Sequence, residues 1–118
     1  MIAGFNTPNI NLIINGLDSI NWPDVEKNIK ITTYRVLQEL LVNMKKHSNA
    51  TLVGINFKAL DKSIIITYTD NGKGIDLNNI TFKNGLHNVE NRILAIKGKI
   101  DIDSAPDKGF KVFIKFSF

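Results

Sequence analysis

Hydrophobic and polar positions change period several times along the chain. Ile10, Leu12 and Ile14 alternate between Asn9 and Asn15, bounded by Pro8 and Gly16, and predict a short strand. Turn-forming residues follow. From about Pro23 or Asp24 to Lys46 no internal Gly or Pro interrupts the chain, and Tyr34, Leu37, Leu41 and Met44 recur at helical spacing. This spacing predicts a long amphipathic helix. Leu52 to Leu60 and Ser63 to Thr69 are rich in Ile, Val, Phe and Thr, with Asp61-Lys62 between them as a hairpin tip, so they read as antiparallel neighbours.

Neither period survives from Asn71 to Gly85, a stretch loaded with Gly and Asn that reads as a loop. Leu86, Val89, Ile93 and Ile96 then predict a short second helix, with Gly98 as its capping residue. Ile100, Ile102 and Ser104 alternate with Asp101 and Asp103. Phe110, Val112, Ile114, Phe116 and Phe118 form a last alternating run, joined to the previous one by Ala105 to Gly109. Strand clusters separated by two helices predict an α+β fold: a two-layer sandwich in which helices cover one face of a mixed, mostly antiparallel sheet. No repeat, low-complexity tract or linker divides the chain, so residues 1–118 are expected to form one domain.

Composition narrows the class. With 43% hydrophobic and 22% charged residues, the chain matches soluble globular proteins and not disordered ones. Having no cysteine, it is held by neither disulfides nor thiolate-bound metal, in keeping with a reducing cytoplasm. Its longest apolar runs, such as Ile64-Ile65-Ile66, fall far short of the roughly 20 residues of a membrane helix. Met1 to Pro8 lacks the layout of a signal peptide. A cytoplasmic domain is expected, with any membrane anchor in a longer parent. The net charge of +4 suits an anionic partner, but the 15 Lys and Arg are dispersed and no aromatic-basic motif accompanies them, which disfavours nucleic acid.

Three constellations carry candidate chemistry. Glu39, Asn43 and Lys46 lie at i, i+4 and i+7 on the long helix. At about 100° per residue they share one polar stripe, read as opposite the apolar one. An Asn oxygen is a hard ligand for Mg²⁺, a Lys neutralises phosphate, and a carboxylate orders metal-bound water or accepts a proton. A solvated helix face would present the same residues. The second constellation is Asp70-Asn71-Gly72-Lys73-Gly74, directly after a strand. Counting back by twos puts Asp70 on one face with Tyr68, Ile66 and Ile64, so its carboxylate points toward the helical layer, where it can accept a hydrogen bond from an exocyclic amino group. A plain Asn-Gly turn is the alternative. The third is Asn84-Gly85-Leu86, read as the start of the second helix, where free N–H groups suit a phosphate chain.

Taken in order, these pieces resemble the GHKL ATPase superfamily, and within it the histidine kinases that pair with short dimerisation helices. Gln38-Glu39 through Asn43 to Lys46-His47 is similar to that family's N box, and Asp70 to Gly74 to its first glycine box. Asn84-Gly85-Leu86, with Asn88 and Arg92, is similar to the second glycine box, and Asp107-Lys108-Gly109 to the closing glycine turn. The resemblance runs from Ile10 to Phe118 and implies the histidine kinase ATPase fold, with a nucleotide pocket between the helices and a lid loop.

By that resemblance, ATP and Mg²⁺ are the cofactors. Asp70 would contact adenine, Asn43 the metal, Lys46 the phosphates, and Glu39 the metal and its waters. Gly72, Gly74 and Gly85 would shape the pocket and hinge the lid, with Ile75 and Leu86 beside the nucleotide and His47 a phosphate or helix-end contact. The implied reaction is transfer of the γ-phosphate to a histidine on a separate dimerisation domain, with a response regulator downstream. His87 reads as solvated, and neither histidine sits in an acceptor helix. The chain departs from the family pattern at Lys83, where a second glycine is usual, and at Phe110, where a Thr is usual. The other readings are a serine kinase of the same fold that acts on an anti-sigma partner, and a catalytically silent nucleotide-binding docking module.

Overall fold

The computed structural model describes residues 10–47, 50–73, 80–104 and 108–117, with the side chains of residues 46–47 and 80–85 outside the description. Five strands and two helices follow in the order β1 (Asn11–Asn15), α1 (Lys27–His47), β2 (Leu52–Leu60), β3 (Ser63–Asp70), α2 (Ile80–Ala95), β4 (Lys99–Ser104) and β5 (Phe110–Ser117). The sheet order is β1-β2-β3-β5-β4. β1 and β2 are parallel, and every other pair is antiparallel. The expected mixed, mostly antiparallel sheet is thus observed. The parallel pair exists because α1 carries the chain back between its two strands.

One face of the sheet is buried. Val53, Ile55 and Phe57 of β2, Ile64, Ile66 and Tyr68 of β3, and Val112, Ile114 and Phe116 of β5 meet Val36, Leu37, Leu40, Leu41 and Met44 of α1 and Leu86, Val89 and Ile93 of α2 in one cluster. The alternate strand positions stay half-buried or exposed, as the period of two requires. Trp22 closes the core beside α1. It packs edge-to-face on Phe57 with ring centroids 5.9 Å apart, while its Nε1–H donates to the Leu17 carbonyl at 3.2 Å.

Several boundaries differ from the sequence reading. α1 begins at Lys27, because Trp22–Asp24 forms a separate 3₁₀ turn around Pro23. Tyr34 is half-buried, and the buried stripe of α1 instead includes Ile29, Thr33, Val36 and Leu40. The buried Thr33 hydroxyl donates to the Ile29 carbonyl at 2.8 Å, which satisfies it within the helix. α2 begins at Ile80, so residues 80–85 are helical and not loop. Phe82, Leu86, Val89 and Ile93 are spaced by four, three and four, so the helical period extends upstream through the Asn-Gly pair that seemed to interrupt it.

The end of α2 is a Schellman turn whose residues are assigned differently from the sequence reading. The Lys97 N–H donates to the Leu94 carbonyl and the Gly98 N–H to the Ile93 carbonyl, each at 2.9 Å. The left-handed residue is Lys97, with φ of +61°. Gly98 is required for space: a Cβ there would lie 2.8 Å from Ile93 Cγ2 and 3.0 Å from the Lys115 carbonyl oxygen. Replacing Lys97 by Gly removes a left-handed penalty of about 1 kcal/mol and is expected to raise the midpoint of urea unfolding. Gly98→Ala should lower stability by about 1–3 kcal/mol through overpacking. A Lys97→Gly variant less stable than its parent would contradict this account of the turn.

Candidate functional site

Topology gathers the candidate residues at one end of the sheet. Because α1 returns the chain between two parallel strands, its C-terminal end, with Asn43, lies where β2 begins. β3 runs antiparallel to β2, so its last residue, Asp70, pairs with Val53 at that same end. β5 starts there too, with Phe110 opposite Asp70.

Asp70 is half-buried and is held on both sides. The Tyr68 hydroxyl donates to Oδ2 at 2.8 Å, and the Gly72 N–H donates to Oδ1 at 2.9 Å. Each carboxylate oxygen keeps a further lone pair for a ligand. Burial pushes the Asp70 carboxyl above its ordinary value of 3.8, while the bonds from Gly72 and Tyr68 pull the other way without cancelling it. Burial, reinforced by the neighbouring Asp70 charge and the bond to it, pushes the Tyr68 hydroxyl far up, so it remains a protonated donor. Tyr68 also packs edge-to-face on Phe110, centroids 6.0 Å apart. Sequence reasoning did not assign Tyr68 a role, although its place two residues before Asp70 on the same face was the available signal.

Asn71 is more than a turn residue. Its Oδ1 accepts from the N–H groups of Thr51 and Leu52, both at 2.9 Å, its Nδ2 donates to Thr51 Oγ1 at 3.0 Å, and its own N–H donates to the Leu52 carbonyl at 3.1 Å. This clamp ties the residue after Asp70 to the start of β2. It depends on strand register, which no local sequence signal carries. Gly109 completes the close packing. It has φ of +76°, and a Cβ there would lie 2.7 Å from the Asp70 carbonyl oxygen, so only glycine lets the chain enter β5 against the site.

Glu39 and Asn43 are both half-buried on α1. They border the buried stripe, whereas Arg35, Gln38 and Lys45 are exposed beyond them, so the polar stripe is a flank of the core and not its opposite side. Half-burial distinguishes them from a fully solvated helix face. Lys46 and His47 complete the last turn of α1, with their side chains outside the description. Gly74, Ile75 and the rest of residues 74–79 lie outside the described residues, as does Asp107 of the closing turn.

The third constellation is placed differently from the sequence reading. Asn84 and Gly85 lie a full turn inside α2, and Leu86 is buried in the core. The N–H groups of an interior turn are taken up by the helix, so the phosphate-binding helix start inferred for Asn84-Gly85-Leu86 is not at these residues. His87, Asn88 and Arg92 are exposed on the same helix.

Among the described residues no group of three or more His, Cys, Asp or Glu forms a metal cluster. A cavity of about 370 Å³ lies over Gly54, lined by Ile13, Leu52, Thr69, Asp70 and Asn71 among others. Ile13, Leu52 and Thr69 belong to the open face of the sheet, so this hollow opens on the side opposite Tyr68 and meets the site only at its edge, where Asp70 and Val53 also line it. No helix among the described residues is long and apolar enough to cross a membrane.

Comparison with known proteins bears on the family and the fold. The family described as histidine kinase-, DNA gyrase B-, and HSP90-like ATPase matches residues 28–118. The chain is 35% identical over 89 residues to the sensor histidine kinase ComP of Bacillus subtilis, covering 73% of this chain and 12% of that protein. It is 33% identical over 92 residues to the sensor protein VraS of Staphylococcus aureus, covering 77% of this chain and 26% of that protein. The match therefore spans only 12% and 26% of the length of these two relatives. Among solved structures, the histidine kinase domain of the Erythrobacter litoralis EL346 blue-light activated kinase superposes with a TM-score of 0.78 at 15% identity, over 98% of this chain and 55% of that one, a likeness of fold. The Acinetobacter baumannii histidine kinase AdeS superposes with a TM-score of 0.63 at 27% identity, over 75% of this chain and 46% of that one.

The raised Asp70 carboxyl has a measurable sign. The folded chain holds this proton more tightly than the unfolded chain, so the stabilisation is fully present below the ordinary value of 3.8 and is lost as pH rises through the higher folded value. Asn at this position does not titrate. The stability of the parent minus that of Asp70→Asn is expected to fall between acid and neutral pH in urea unfolding. A difference independent of pH would refute the burial argument.

Proposed function

The chain belongs to the histidine kinase-, DNA gyrase B-, and HSP90-like ATPase family, and from that membership we propose that residues 1–118 form the ATP-binding catalytic domain of a larger sensor histidine kinase. The observation that carries this reading is the carboxylate of Asp70, half-buried at the end of β3 on the helix-facing side and fixed by the Tyr68 hydroxyl and the Gly72 N–H. It is a rigid acceptor suited to the exocyclic amino group of adenine. The two relatives are a sensor histidine kinase and a sensor protein, which favours this reading over an anti-sigma-directed serine kinase.

In this proposal Asn43 offers its amide oxygen to Mg²⁺, Glu39 orders the metal's water, and Lys46 neutralises the phosphates with His47 beside it. Bound Mg²⁺ would supply charge balance for the phosphates. Gly72, Gly74 and Ile75 would border the adenine, and Leu86 would support that wall from the core, while Gly85 would allow close helix packing. The phosphoryl group passes to a histidine on a separate dimerisation domain, and from there to a response regulator. Catalysis by this domain consists of positioning and electrostatics, since the nucleophile is supplied from outside. ATP as donor places the domain in the cytoplasm, whatever anchors its parent.

Two outcomes test the proposal. In calorimetric titration with ADP, Asp70→Asn should weaken binding by about 1.5–3 kcal/mol, because a donor then stands where the amino group needs an acceptor. Equal affinity in parent and variant would remove adenine recognition from Asp70. Incubated with labelled ATP and Mg²⁺, the chain should accumulate no phosphate on His47 or His87, yet should label a separately supplied dimerisation domain from its own parent. Tight ATP binding without transfer would instead support the silent docking module.

A further inference from the structure

The two outer edges of the sheet are built differently. β4, one edge, carries Lys99, Asp101 and Asp103 at alternate exposed positions, the kind of charge that discourages another strand from joining. β1, the other edge, has no charged residue from Asn11 to Asn15, and Ile13 at its centre is 44% exposed. Strand edges present unpaired N–H and C=O groups, and an uncharged apolar edge is a template for pairing.

The register shows which groups those are. The Asn11 N–H donates to the Thr51 carbonyl at 2.8 Å, so in the parallel ladder Asn11, Ile13 and Asn15 turn their backbone groups toward β2. Leu12 and Ile14 therefore turn theirs outward, where no strand among the described residues takes them. The sequence of β1, Asn-Leu-Ile-Ile-Asn, reads nearly the same in both directions about Ile13.

We propose that β1 is a self-pairing edge through which two copies of this chain join antiparallel about a twofold axis at Ile13. In that register Leu12 of each copy lies opposite Ile14 of the other, and these are the residues with outward backbone groups, so both pairs are hydrogen-bonded ones. Ile13 meets its own counterpart at a non-hydrogen-bonded position, where side chains approach most closely, and Asn11 meets Asn15, whose amides are complementary. The faces agree as well. Leu12 and Ile14 are half-buried on the helix side of both copies, while Ile13 sits on the open face near Leu52, which is 45% exposed, giving one apolar strip across the join. Two five-stranded sheets become one continuous sheet with the charged β4 edges outermost, so assembly stops at two copies. Other extended peptides could use the same backbone groups, but the near-palindrome specifies a second copy. The inference is independent of nucleotide binding.

A five-residue strand pair is a small interface, so association is expected in the range of about 0.1–1 mM. Sedimentation equilibrium across that range should show the mass rising from 13.2 kDa toward twice that value. Ile13→Lys and Ile13→Glu should each remain monomeric, because like charges then face each other across the axis, and an equimolar mixture of the two should recover the dimer. Hydrogen exchange on the parent gives a readout without substitution: the amides of Leu12 and Ile14 should be protected about tenfold more at the highest concentration than at the lowest. A parent that stays monomeric to about 1 mM, a dimer that survives Ile13→Lys, or protection independent of concentration would each overturn the proposal.

Discussion

The position of β3 between β2 and β5 is the constraint on which the site depends. Side chains in a strand alternate with a period of two, so Ile64, Ile66 and Tyr68 can be buried under the helices only if Asp70 emerges on that same face. A slip of one residue would send the carboxylate to the open side and expose the three apolar side chains together. The free energy that orients Asp70 is therefore mostly hydrophobic, supplied by neighbours that have no part in binding. Fully burying side chains of this size contributes on the order of 1.5–3 kcal/mol each, which exceeds the cost of holding one half-buried carboxylate.

Electrostatics at this position balance two demands. An acceptor for an amino group needs to be dry enough to bind strongly, but dryness raises the carboxyl toward its neutral form. The hydrogen bonds from Tyr68 and Gly72 oppose that rise and also fix the direction of the acceptor. Tyr68 can do this because its own hydroxyl is held protonated by burial and by the charge of Asp70. The two residues thus sustain each other's protonation states.

What the sequence revealed followed from local period. The β2–β3 hairpin with Asp61 at its tip, the alternation that aims Asp70, and the apolar run that ends with Met44 are short-range signals that the packed chain preserves. What it concealed came from composition overriding period. An Asn-Gly pair reads as a break, yet α2 runs through Asn84 and Gly85, because one glycine costs a helix only about 1 kcal/mol and the burial of Leu86, Val89 and Ile93 outweighs it. Likewise, Gly98 was legible as a capping residue, but sequence alone does not show that Lys97 takes the left-handed conformation or that Ile93 and the Lys115 carbonyl leave no room for a side chain at Gly98. The clamp of Asn71 on Thr51 and Leu52 spans about twenty residues of sequence and is visible only once register is fixed.

That clamp also sets how force passes through the domain. A ligand or partner that tugs on the chain beyond Gly72 loads the Gly72 bond to the Asp70 carboxylate together with the Asn71 bonds, and the latter end on the backbone of β2 and on Thr51. The load is shared between two strands and does not rest on Asp70 alone, so the carboxylate behaves as part of the rigid frame. Asn71 is in this sense the mooring point of the site.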